Sequence, residues 1–207
     1  MSEKSPDMPY EKAAEETGKA IGKVADLLDK ASPALADLYN FLGGDRLSEQ
    51  RIRNADKYKR ETKRIIEERD IKERRAVPEE LAAPLFDAAI RDPREELQKL
   101  YAALTVNAID LAFHDHVRPE FVETVKKWQP IDVRVMRFSV GRPEGKPHFG
   151  SGDVETALAT ERQNAVAVSL EHLRTLGCLS SPGPRSYTAT PYGAEIMRAV
   201  SEQPDGG

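Results

Sequence analysis

The chain has 207 residues, enough for one sizeable domain with an appendage or two small ones, and enough to bury a core. Its 31 Lys and Arg against 35 Asp and Glu give a formal charge of −4, so any basic site for nucleic acid or anionic lipid must be local. A single cysteine, Cys178, excludes an internal disulfide, no uncharged stretch approaches the roughly 18 apolar residues of a membrane span, and no apolar segment follows Met1, so the chain reads as cytoplasmic.

From the start of the chain, Ala14, Thr17, Ile21, Val24, Leu28, Ala31, Leu35, Leu38 and Leu42 recur at steps of three and four, which predicts a helix with one apolar seam. Pro33 after Ser32 predicts a kink or a capped restart within it, and Gly43-Gly44 ends it. Asp45 is placed to cap a second helix with apolar positions Leu47, Ile52, Ala55, Tyr58, Thr62, Ile65 and Ile66. Opposite charges four residues apart (Glu49/Arg53, Asp56/Arg60, Lys57/Glu61, Lys63/Glu67, Arg64/Glu68) support its exposed face by about 0.3 kcal/mol each. The two-glycine connection predicts an antiparallel hairpin, followed by a basic linker through Lys72-Glu73-Arg74-Arg75, so residues 1–75 form a first unit.

Residues 76–130 read as a central helical bundle. A short helix from near Pro78 carries Leu81, Ala82, Leu85, Phe86, Ala89 and Ile90, and Asp92-Pro93-Arg94-Glu95 restarts the chain as a helix capped by Asp92. That helix is predicted to reach about Ala112 and to bury Leu97, Leu100, Tyr101, Leu104, Ala108 and Leu111. Another is predicted from Pro119 to Trp128, with Phe121, Val122, Val125 and Trp128 inward.

Residues 131–203 follow the order helix (131–140), glycine-rich loop (141–152), helix (154–159), helix (163–176), strand, turn, strand (178–190), helix (191–201). That is the order of a winged-helix-like subdomain with a short β-hairpin. The fold class is therefore mainly α: an N-terminal antiparallel helical hairpin, a central helical bundle and the winged-helix-like end. Val166, Val168, Leu170, Leu173 and Leu176 are predicted mostly inward, and Gly177 ends their helix.

The charges argue against strong DNA binding by that end. Residues 131–207 hold 8 basic and 9 acidic side chains, the third helix offers Arg174 beside Glu171, and the hairpin offers only Arg185. Residues 45–75 are locally basic, with 12 Lys and Arg against 8 Asp and Glu, and Lys59, Arg60, Lys63 and Arg64 are the candidates there for nucleic-acid contact. Interleaved acids favour a solvated helix face instead. The seam helix has a mixed-charge polar face, unlike the cationic face of a membrane-surface helix, so a membrane surface is not its expected partner. Its residues Ile21, Val24, Leu28, Leu35 and Leu38 are candidates for self-association. His114-Asp115-His116 lacks the further ligands a stable metal site needs, and Cys178 falls in a predicted strand as a buried thiol. With no phosphate loop, paired-carboxylate motif or nucleophile elbow, the sequence supports neither an enzyme nor a cofactor.

The stretches Ala76-Val77-Pro78 through Leu85, Glu95-Glu96-Leu97-Gln98-Lys99-Leu100-Tyr101 through Leu104, Asn107-Ala108, and Arg118-Pro119-Glu120-Phe121-Val122 into Gln129-Pro130-Ile131-Asp132 resemble the abortive infection alpha (Abi-alpha) family of bacterial proteins. The family pattern has tryptophan where this chain has Tyr101 and histidine where it has Arg118. The resemblance implies a role in antiphage defence by abortive infection and brings no catalytic residues with it. The leading expectation is a non-enzymatic interaction protein that binds a protein partner or itself. A DNA-binding regulator acting through the winged helix is the alternative, and a peripheral membrane effector is a weaker one.

Overall fold

A computed structural model describes residues 49–202, except Lys72 and Glu144. The seam of residues 14–42, with Ile21, Val24, Leu28, Leu35 and Leu38, lies outside the described residues. The described chain is mainly helical: α1 (Glu49–Glu68), α2 (Glu79–Arg91), α3 (Glu95–Ile109), a 3-10 turn (His114–His116), α4 (Pro119–Val125), α5 (Pro130–Val140), β1 (Phe149–Gly150), α6 (Ser151–Ala157), α7 (Gln163–Thr175), β2 (Leu179–Gly183), β3 (Ser186–Ala189) and α8 (Pro191–Ala199). The strands form one antiparallel sheet in the order β1-β3-β2, with Phe149 opposite Tyr187 and Leu179 opposite Ala189.

α3 is the centre of the molecule. Every residue from Leu100 to Ile109 is buried, so the helix has no polar face, as expected of one enclosed on all sides. α1 and α2 pack against it and against each other. The buried side of α1 is Asn54, Ala55, Tyr58, Thr62, Ile65 and Ile66; the last five are positions its spacing predicts, whereas Ile52 is only half-buried, Asn54 takes a buried place instead, and Leu47 lies outside the described residues. Two polar residues of α1 inside this core are matched: Tyr58 bonds Thr105, and the Asn54 amide donates to the Ile90 carbonyl at 2.9 Å. One continuous apolar cluster runs from Ala55 to Val200 and includes Trp128, Met136, Leu170 and Ile196.

Several boundaries differ from the sequence expectation. Asp92 closes α2 rather than capping α3. Its carboxylate accepts from the backbone N–H of Arg94 and from the Arg94 guanidinium at 2.6 Å, a charged partner that outcompetes neutral helix N–H groups. Arg94 then reaches the Trp128 carbonyl at 2.8 Å and so ties this corner to the α4–α5 connection. α3 stops at Ile109 because Asp110 turns extended to pair with Arg69, which leaves Leu111 45% exposed instead of buried. α4 ends three residues before Trp128, although the indole is still fully buried. The expected loop after Gly141 ends in β1, a third strand.

Candidate interaction surface

α7 is held on α5 by one buried carboxylate. Asp132, 1% exposed in the first turn of α5, accepts the Gln129 backbone N–H at 2.7 Å, the Ser169 hydroxyl at 2.5 Å and the His172 Nδ1–H at 2.9 Å. Ser169 and His172 are three apart and so lie on one side of α7, facing Asp132. Serine, histidine and aspartate thus meet, but the serine donates to the aspartate and not to the histidine. The arrangement positions a helix and lacks the serine-to-histidine bond that activates a nucleophile. The α7 partners of Asp132 stand 37 and 40 residues away, and no local spacing announces them.

With Val166, Ser169, Leu170 and Leu173 inward, α7 presents Gln163, Asn164, Ala167, Val168, Glu171, Arg174 and Thr175 to solvent. Val168, expected on the inner face, is 69% exposed, because the inner stripe steps 166, 169, 170, 173 and leaves 168 opposite. Arg174 is paired with Glu171 at 2.9 Å, and the neighbouring carboxylate favours its charged form. The Tyr187 hydroxyl of β3 also donates to Glu171, at 3.4 Å. Arg185 stands exposed between β2 and β3 with a positive φ of 57°, a conformation that side chains other than glycine rarely take. Cys178 is fully buried where α7 meets β2, and burial pushes its thiol up to about 11, so it is chemically quiet.

The second group of cations lies on α1, which packs against different elements from α7. Lys63 faces Glu67 at 3.5 Å. Arg64 is surrounded by Glu61 at 2.9 Å, Glu68 at 2.7 Å and Glu202 at 2.8 Å, which strongly favour its charged form and already occupy its donors. Lys59 and Arg60 have no ion pair among the described residues. His114 lies against Asp115 at 3.0 Å and His116 beside Glu195 at 3.8 Å. Among the described residues no three His, Cys, Asp or Glu side chains converge as metal ligands, and no helix is long and apolar enough to cross a membrane.

Fold and surface together define a mainly helical protein with a small three-stranded antiparallel sheet, in which Arg64 and Arg174 are held by neighbouring carboxylates. The abortive infection alpha family model matches residues 49–203, and the chain belongs to that family. No curated protein and no solved structure matches it.

Proposed function

We propose that the protein is a non-enzymatic, cytoplasmic helical interaction protein acting in abortive infection, and that its 14–42 seam joins it to a second copy of the chain or to a protein partner. The observation that carries this reading is the use of the apolar face of α1. Ala55, Tyr58, Thr62, Ile65 and Ile66, the face available to receive the seam in a hairpin, are buried under α2 and α3. Nine small or apolar seam positions then need cover from elsewhere, and a seam spaced by three and four suits a partner helix. Family membership supplies the abortive-infection context. The expected result is a concentration-dependent dimer in sedimentation, converted to monomer by Leu28→Asp with Leu35→Asp, which would place carboxylates in the seam. A wild-type chain that stays monomeric at tens of micromolar and captures no partner from its own cells would refute the proposal.

A second reading, a DNA-binding regulator using α5–α8 as a winged helix, draws on the element order and on Arg185. That arginine is exposed at the hairpin tip in a strained conformation, and such strain is often stored at functional positions. Paired Arg174 and paired Arg64 argue for the first reading, since cations already neutralised release few counterions from DNA. We expect only weak, sequence-independent binding to random duplex at physiological salt. Sub-micromolar, salt-sensitive binding abolished by Arg174→Glu with Arg185→Glu, with helical content unchanged, would reverse the order of the two readings.

A further inference from the structure

We propose that the cavity between α1 and the start of α3 binds a small phosphate-type anion that carries a hydrogen-bond donor of its own. The cavity has a volume of about 170 Å³ and is lined by Lys57, Arg60, Glu61, Glu95 and Gln98. Gln98 is 1% exposed, and its amide nitrogen donates to two carbonyls, those of Ala89 and Asp92. Two carbonyl acceptors fix which end of the amide is nitrogen, so the oxygen is the group left for the cavity. That oxygen is buried and has no partner among the described residues. A buried acceptor without a donor is costly, and it asks for an O–H or N–H.

The rest of the wall asks for the opposite. Lys57 and Arg60 make no ion pair among the described residues, whereas both carboxylates of the wall are engaged, Glu61 with Arg64 at 2.9 Å and Glu95 with Lys99 at 3.2 Å. Glu95 is the first residue of the 15-residue helix α3, whose N-cap, Arg94, supplies no side-chain acceptor to the free N–H groups there. Free helix-start N–H groups and two free cations favour an anion.

An oxyanion without a proton satisfies the cations and leaves Gln98 unpaired. Phosphate near neutral pH keeps an O–H, and a phosphate monoester of a polyol has hydroxyls beside its charge; either satisfies both demands. Sulfate has no proton to give, nor has the phosphodiester of a nucleic acid. The two wall carboxylates sharpen the same distinction, because they repel an oxyanion that cannot donate to them.

The test is calorimetry and thermal melting of the full chain with inorganic phosphate, glycerol 3-phosphate, sulfate and random DNA duplex at matched ionic strength. Phosphate or glycerol 3-phosphate is expected to bind and, at saturation, to raise the melting temperature by about 4 °C or more, with sulfate at least about tenfold weaker. Binding of both points to inorganic phosphate as a sufficient ligand, and binding of glycerol 3-phosphate alone points to a phosphorylated organic molecule. Lys57→Gln with Arg60→Gln, both on the accessible side of α1, should abolish the effect while leaving the circular dichroism unchanged. Sulfate binding as tight as phosphate, displacement of phosphate by the duplex, binding that survives the double substitution, or no binding by either phosphate would overturn the assignment. None of these readouts depends on oligomeric state, so they are independent of the self-association proposed above.

Discussion

Replacing Gly193 with alanine is expected to lower the melting temperature by about 6–12 °C, the equivalent of about 3 kcal/mol in a domain of this size. Gly193 lies in the first turn of α8, where Thr190 accepts its backbone N–H at 3.0 Å and itself donates to the Gly177 carbonyl at 2.6 Å. The start of α8 therefore lies directly across the start of β2. A Cβ on Gly193 would stand 2.2 Å from the Cys178 carbonyl oxygen and 2.9 Å from two further backbone atoms of the same residue. No rotamer change relieves a clash with backbone, so the helix start or the α7–β2 connection must move. Gly152→Ala is the control. It lies within α6 with nothing inside 4 Å of the added carbon, and should leave stability unchanged or raise it by about 0.5–1 kcal/mol. Equal melting temperatures for the two variants would contradict the close approach.

Asp132→Ala is expected to cost about 3 kcal/mol or more in denaturant unfolding, with the midpoint shifted and the slope unchanged. It removes the common acceptor of Gln129, Ser169 and His172, leaving the hydroxyl of Ser169, a residue only 2% exposed, without its partner and the other two donors to find water. Ser169→Ala removes one donor and leaves Asp132 two others, so its cost should be about 1 kcal/mol. If the two substitutions cost the same, the carboxylate is not what holds α7 to α5.

Most helices were legible because their boundaries are local. Pro119, Pro130 and Pro191 each occupy the first turn of a helix, and Gly177 takes a positive φ of 74° just past the end of α7. Several failures involve partners distant in sequence, and one, at Asp92, a partner only two residues away. β1 is two residues long and exists only because β3, nearly forty residues on, offers it an edge, so no alternation precedes it. Asp92 has the sequence context of a cap, yet its carboxylate is taken by Arg94. Leu111 has helical spacing, but Arg69 from the end of α1 draws Asp110 out of the helix first. The Gln98 cavity had no signal at all: a glutamine on a helix is unremarkable until its nitrogen is seen to be spent on two carbonyls and its oxygen on none.

The close of α8 has a kinetic consequence. The last turns of a chain ordinarily fray, and their amides exchange with solvent within the first moments of an exchange experiment. Here the Asn107 side chain, buried in α3, donates to the carbonyls of Ala199 at 2.7 Å and Ser201 at 3.0 Å, while Arg69 donates to the oxygen of the same amide. Unwinding the end of α8 would strip a buried amide in the middle of the core of both acceptors, so local opening there costs nearly as much as opening the core itself. Deuterium should therefore enter the amides of Ala199 and Val200 at the rate it enters α3, and the end of α8 should be among the slowest parts of the protein to exchange.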